Sequence, residues 1–407
     1  MSQEGFDLLK KDCINSGLCV ECGACAVVCP TGAIAMKEYD WGRNPELIGR
    51  CPEEKCDLCR QVCAAREVPV TASEEKFMGR RRKLDTYEKN VGVIREVFTG
   101  CATAQDIRTR GTSGGVVTAL LVYALEKGII DGCVLAGFDP QAPWKAKAMV
   151  ATSRQEILAC AGSKYQPHPQ LLGIKEAYDR GLKKIAVTAT PCHAAAVRNM
   201  MLNDKLAKYG DIIKLVTSNF CAAHWALAGT KWLLKLWLDL DVKDITQLKY
   251  RTGKFPGDLV AITRDGKEHR TPFVRGGGVA ALGRFTPEEC RICLEKISYT
   301  ADIALGDTWC HPGVNPGVTQ ENYTEDELNK DERLKEAIAG VSAIVVRSKL
   351  GQEIIDGCAK AGQIKLFPER PGESEIFLNG VTSEKPTWYG PWIEARRRRG
   401  QPVRNYI

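Results

Sequence analysis

The sequence predicts an α/β (α+β) chain in two parts: a cysteine-dense N-terminal module, then a larger domain whose mixed sheet is covered by helices. Three observations carry this reading. Nine cysteines fall between Cys13 and Cys63, a polar and charged stretch follows them, and from Val91 onward apolar strand-like runs alternate with helical segments. Such alternation argues for a mixed or largely parallel sheet with helices on its faces.

The chain has 407 residues, enough for two or three domains and a large core. With 44% hydrophobic and 26% charged residues it reads as an ordinary globular protein. No apolar run approaches the roughly 20 residues that span a bilayer. The longest, Trp232 to Leu240, is broken by Lys235 and Asp239. The opening MSQEGFDLLKKDC lacks a signal-peptide core, so a cytoplasmic location is expected. In that reducing compartment, 18 cysteines point to metal rather than to disulfides. The net charge of +7 is mild, and much of it lies in Arg80–Lys83 and Arg396–Arg399. These runs lack interleaved aromatics, so no nucleic acid is expected as a partner, and they read as solvated or partner-facing segments.

The module rests on one spacing. Cys19-x2-Cys22-x2-Cys25-x3-Cys29-Pro30 reproduces the bacterial ferredoxin run. Two-residue gaps let a tight loop offer three thiolates to neighbouring corners of a 4Fe–4S cubane. The fourth cysteine, past a short helical turn, faces a second cluster. A second half, Cys51-x4-Cys56-x2-Cys59-x3-Cys63, has a longer first gap and no closing proline. The crossover rule assigns Cys19, Cys22, Cys25 and Cys63 to one cluster, and Cys51, Cys56, Cys59 and Cys29 to the other. Cys13 is a possible substitute for Cys51. Structural zinc is the competing reading, but zinc rarely uses three cysteines at successive two-residue gaps.

The expected organisation is a two-cluster module at 1–66, a linker at 67–90, a larger domain at 91–320, and a C-terminal strand–helix–strand with a tail at 321–407. Strands are expected at Val93–Phe98, Cys133–Phe138, Lys184–Thr188 and Ile212–Thr217, with helices at Gly115–Lys127 and Ala194–Leu206.

Four further cysteines sit at loop positions: Cys192 in Thr190-Pro191-Cys192, Cys221 in Asn219-Phe220-Cys221, and the pair Cys290-x2-Cys293. They suit the four ligands of a third cluster and equally well four small buried residues. Gly111-Thr112-Ser113-Gly114-Gly115 precedes a helix, so its N–H groups suit a phosphate, or simply start the helix. Lys164 and Tyr165 offer a cation and a ring to such a ligand.

Taken in order, these pieces resemble a known family. Thr112-Ser113-Gly114-Gly115, Leu125-Glu126-Lys127-Gly128-x2-Asp131-Gly132, Lys164-Tyr165, Thr190-Pro191-Cys192, Phe220-Cys221 and Cys290-x2-Cys293-x7-Ala301-Asp302-Ile303-x2-Gly306-Asp307 look like the beta-subunit family of coenzyme F420 hydrogenases and dehydrogenases. The resemblance covers roughly residues 91–307. It implies that the domain at 91–320 binds FAD and the substrate coenzyme F420, and that Cys192, Cys221, Cys290 and Cys293 hold a third 4Fe–4S cluster. It makes Gly111, Thr112, Ser113, Gly114, Gly115, Lys164, Tyr165, Thr190 and Pro191 the flavin contacts. His193 and Glu295 depart from the family's usual glutamine and aspartate. The double-ferredoxin extension is most similar to that of the formate dehydrogenase members. It implies a molybdopterin-bearing catalytic alpha subunit, or another large redox complex, as partner; the alternative roles are the beta-type subunit of an F420H2 dehydrogenase or hydrogenase, or a flavin-free iron–sulfur relay subunit.

Flavin is the needed converter, because deazaflavin gives up hydride whereas clusters take single electrons. No catalytic side chain is therefore expected, and among the five histidines only His193 adjoins a proposed ligand, where it would donate a supporting hydrogen bond. Arg251, Lys254, Phe255, Arg275 and Arg284 are candidates for a pocket around the acidic tail of the deazaflavin. Trp388-Tyr389-Gly390-Pro391-Trp392 and the arginines after it read as a docking tail.

Overall fold

The computed structural model describes residues 4–52, 56–253, 256–274, 278–309, 311–314 and 324–407. Its strands, in chain order, begin with β1 (Ile34–Glu38), β2 (Arg43–Leu47) and the short β3 (Glu67–Val68). Then come β4 (Glu96–Ala102), β5 (Gly132–Asp139), β6 (Ala142–Ala151), β7 (Ile185–Ala189) and β8 (Ile213–Asn219). They end with β9 (Ile245–Thr252), β10 (Asp258–Thr263), β11 (Glu268–Pro272), β12 (Ile303–Asp307), β13 (Ser342–Val346), β14 (Ile364–Pro368) and β15 (Asn405–Tyr406).

Eight of them form the central sheet, in the order β14-β4-β13-β12-β8-β7-β5-β6. The inner four, β12, β8, β7 and β5, run parallel. β13, β14 and β6 pair antiparallel to their neighbours, so the sheet is mixed, as the alternation predicted. The sequence of β7, IAVTA, is buried at every position, the mark of a strand covered on both faces. The helix Val116–Glu126 is apolar nearly all round and lies in one layer, while Pro191–Met201 lies in the other. Pro191 starts that second helix three residues earlier than expected, because proline suits a first helical position. Cys192 therefore stands on its first turn.

Two boundaries differ from expectation. The segment 67–90 is a packed strap rather than a linker. β3 pairs with β15, Ser73, Glu74 and Met78 are buried, and Arg82 and Arg80 pair with Glu74 and Glu88. Arg81 pairs with Glu75 as well, so the arginines of the strap are partnered within the fold. β13 and β14 belong to the central sheet, which leaves no separate C-terminal unit before the long helix Glu373–Arg398.

The N-terminal module shares the core of the larger domain. Val20, Ala24, Val27, Val28 and Val62 pack in one cluster with Val134, Leu171, Ile174, Val187 and Val216. Leu171 donates its backbone N–H to the Cys22 carbonyl at 3.0 Å. Gly23, at φ 82°, has no room for a side chain, since a Cβ would meet Pro169 Cβ at 3.0 Å.

Candidate redox site

The parallel strands β7, β8 and β12 deliver their carboxyl ends to one edge of the sheet, where ligands of such sheets usually bind. Cys192 follows β7, Cys221 follows β8, and the segment after the Cys290–Cys293 pair meets Cys221, whose N–H donates to the Lys296 carbonyl at 2.9 Å. The structure brings these four thiols together. Burial pushes Cys221 up to about 12, with the Cys290 and Cys192 charges adding to it, and Cys192 also feels Cys293. The Thr190 hydroxyl lies 3.3 Å from Cys192 Sγ, and Pro191 is buried, so both sit with the cysteines.

The ferredoxin-type cysteines form two further groups. Cys19, Cys22, Cys25 and Cys63 line one cavity with Leu9, Ile14 and Val20. Cys13 lines it too, its Sγ 3.7 Å from that of Cys63, so Cys13 stands with this first group and not beside Cys51. That hydrogen bond holds the Cys63 thiol down at about 7. The second group is Cys29, Cys51, Cys56 and Cys59: burial pushes Cys59 up to about 12, and the charges of Cys56, Cys51 and Cys29 act in the same sense. Cys22, also raised to about 12 by burial, feels Cys192 across the boundary between module and domain. The first and third groups are therefore neighbours.

Polar side chains around the groups divide by sign. Glu21 is buried, its carboxylate accepts the Arg43 N–H at 2.8 Å, and burial pushes it up to about 7. A cleft of about 650 Å³ opens beside Cys19 and Glu21, walled by Ser16, Glu288, Glu289 and Arg396. At the third group, Lys385 Nζ donates to Cys293 Sγ at 3.3 Å and Arg404 Nη1 donates to it at 3.4 Å. Burial alone would push Cys293 up, but the Lys385 and Arg404 cations outweigh it and hold the thiol low. His224 pairs with Glu289 at 3.2 Å and faces Cys290. His193 instead turns to the first group, 3.3 Å from the Val20 carbonyl. Sequence adjacency singled out His193 and missed His224, whose approach to Cys290 depends on the long segment between them. It missed Lys385 and Arg404 for the same reason.

The glycine loop sits at the same edge, after β4. Thr112 Oγ1 accepts the Ser163 N–H at 3.0 Å, which ties the loop to the segment carrying Lys164 and Tyr165. A Cβ on Gly114 would meet Gly100 O at 2.5 Å, so this glycine is required by the close approach of loop to strand. Lys164 Nζ donates to the carbonyls of Cys160, Ala161 and Gly162, and burial lowers its pKa to about 8. Tyr165 stacks on Trp225 at 4.8 Å and on Phe273 at 5.1 Å. Trp225 lies four residues from Cys221, so one short segment joins the aromatic stack to the third cysteine group. Arg251, a candidate for the pocket around the acidic tail, is buried and ion-paired with Asp307 at 2.6 Å, while Arg284 is exposed. Lys254, Phe255 and Arg275 lie outside the described residues. Arg396 also turns inward, to Glu288 and to the Ser16 carbonyl, rather than facing solvent with Arg397–Arg399. No described helix is long and apolar enough to cross a membrane.

Comparison with known proteins agrees with this arrangement. The family model for coenzyme F420 hydrogenase/dehydrogenase beta subunits matches in its N-terminal part at residues 97–175 and in its C-terminal part at 182–371. A 4Fe–4S binding domain matches residues 13–35. The coenzyme F420 hydrogenase subunit beta of Methanothermobacter thermautotrophicus is 28% identical over 288 residues, 70% of this chain and 95% of that protein. The F420-dependent formate dehydrogenase 1 subunit beta of Methanococcus maripaludis is 28% identical over 283 residues, 69% of this chain and 64% of that protein. A chain of the F420-reducing [NiFe] hydrogenase complex from Methanosarcina barkeri has the same fold, with a TM-score of 0.58 at 24% identity, over 77% of this chain and 96% of that one.

Proposed function

Because the chain belongs to the coenzyme F420 hydrogenase/dehydrogenase beta-subunit family, we propose that it carries electrons between coenzyme F420 and three 4Fe–4S clusters as the flavin-bearing subunit of a larger complex. The observation that carries this is the contiguity of the groups: Cys192 of the third cysteine tetrad neighbours Cys22 of the first, and Trp225 of the aromatic stack follows Cys221 by four residues. The residues fit the cofactors. Each tetrad offers buried or half-buried thiols at one place, and the edge offers a glycine loop, a half-buried lysine and stacked rings. FAD held there supplies the conversion between hydride and single-electron transfer.

In this reading Cys19, Cys22, Cys25 and Cys63 hold the first cluster, Cys29, Cys51, Cys56 and Cys59 the second, and Cys192, Cys221, Cys290 and Cys293 the third. Gly111–Gly115 and Lys164 bind the flavin phosphates, while Thr190 and Pro191 shape the wall between flavin and third cluster. Tyr165, Trp225 and Phe273 exclude water from the aromatic side of the site. The cleft beside Cys19 gives a redox partner its approach to the first cluster. The ferredoxin extension favours a complex of the formate dehydrogenase type, with formate oxidised on a molybdopterin-bearing subunit.

Anaerobic purification tests the cofactor content. The expected result is about 12 iron atoms per chain, four for each cluster, with about one FAD on acid extraction. Iron at about 8 would remove the third cluster, and absence of FAD would leave a plain iron–sulfur relay. Stoichiometric zinc would defeat the cluster assignment. Reduction of coenzyme F420 by the native complex with formate, and not with hydrogen, is expected; the reverse would assign a hydrogenase partner.

A further inference from the structure

The last 36 residues lie beyond the end of the family match at residue 371, yet they reach the interior of the redox site. The helix Glu373–Arg398 delivers Lys385, and the segment after it delivers Arg404 and Tyr406. Lys385 and Arg404 are buried, 3% and 5% exposed, a costly position for two cations without anionic partners. Both donate to the same atom, Cys293 Sγ, at 3.3 and 3.4 Å, and Lys385 also donates to the Glu295 carbonyl at 2.8 Å. The Tyr406 hydroxyl lies 3.9 Å from the same sulfur and accepts the Leu294 N–H at 3.1 Å.

The segment is pinned at several points. β15 pairs in parallel with β3, directly after Cys63, and Thr71 donates to the Ile407 carbonyl at 2.8 Å. Arg396 anchors the helix end to Glu288 and to Ser16. The cations are therefore held in place. The other tetrads have a different setting: the Glu21 carboxylate faces Cys19 of the first, Arg404 reaches Cys63 there by its charge without a hydrogen bond, and Asp7 faces the second. Carboxylates are present at the third as well, in Glu289 and Glu295, but among the described residues two cations donate to one thiol only there.

We propose that residues 373–407 form a redox clamp, in which Lys385 and Arg404, acting through Cys293, hold the third centre at a higher reduction potential than the two centres of the N-terminal module. The inference rests on the reading of Cys192, Cys221, Cys290 and Cys293 as cluster ligands. Reduction adds negative charge to a cluster, and hydrogen bonds and cations at its sulfurs favour the reduced form. In a water-poor site that effect is larger than at the surface. The consequence is directional, since electrons entering through the module collect beside the flavin site.

The test is an anaerobic redox titration of the reconstituted full-length chain, followed by electron paramagnetic resonance. The signal lost in Cys221→Ser identifies the third centre. In the parent chain that signal should titrate above both module signals. In Arg404→Gln and in Lys385→Met it should move to more negative potential with iron content kept, and Arg404→Lys should stay near the parent. The signal of the Cys29, Cys51, Cys56 and Cys59 centre should not move in any variant. A third signal below the module signals, or one unmoved in both variants, overturns the clamp while leaving the cluster assignment standing. If no signal is lost in Cys221→Ser, the assignment fails and the clamp fails with it. Should a variant lose its iron, the order of potentials in the parent chain still decides.

Discussion

Lys164 shows how much a single residue depends on its surroundings. A lysine in Gly162-Ser163-Lys164-Tyr165 reads as a cation offered to a ligand, and here it is also tied to three carbonyls, while burial lowers its pKa to about 8. The sign of the resulting pH dependence follows. If Lys164 neutralises flavin phosphate, binding favours the protonated form, so affinity is greatest below pH 8 and falls as pH rises through it. Equilibrium binding of FAD from pH 7 to 9.5 should show this loss in the parent chain. Arg keeps its proton throughout, so Lys164→Arg should bind with little pH dependence over the same range. An equally flat profile in the parent would remove Lys164 from the phosphate site. Individual ligands were legible in the sequence where spacing is short and local, as in Cys19 to Cys29. Lys385, Arg404 and His224 were not, because each meets its thiol only through the tertiary fold.

Elements were legible to the degree that their burial was one-sided or complete. β7 is buried throughout and β8 nearly so, and the expected strands lie within two residues of their observed bounds. β6, whose edge position leaves a mixed pattern, and the small sheet β9 to β11 carried no comparable signal. The glycine loop was legible as a loop leading into a helix, and the packing adds a reason for one of its glycines that the sequence does not carry. Gly114 is there because β4 and β13 press on it: a Cβ would meet Gly100 O at 2.5 Å and Ser342 N at 2.7 Å, both backbone atoms. Gly114→Ala should therefore cost about 2 kcal/mol by overpacking, lower the melting temperature and reduce FAD per chain while leaving iron intact. Gly283→Ala, which meets no atom within 4 Å, is the control and should leave melting temperature and FAD content near the parent.

At the scale of the whole molecule, the module is less separable than its cysteine spacing suggested. A free-standing two-cluster ferredoxin closes its own small core. In this chain Val20, Ala24, Val27, Val28 and Val62 complete their core against Leu171, Ile174 and Val187 of the larger domain. The strap at 67–90 and β15 then lock the two parts from outside, and His193 reaches from the domain into the loop between Cys19 and Cys22. A fragment of residues 1–66 would expose those valines and lose the cover of Leu171 over Cys22. At about 25 cal/mol per Å² of apolar surface, uncovering several such side chains outweighs what a domain of this size has to spare. The fragment should thus fail to retain the about eight iron atoms of two clusters under conditions in which the full chain keeps all of its iron. Iron and sulfide analysis after gel filtration decides it: a stable, fully loaded fragment would show that the shared core is an attachment and not a requirement. The same dependence fits electron transfer, since centres that must keep a fixed spacing gain nothing from a hinge between them.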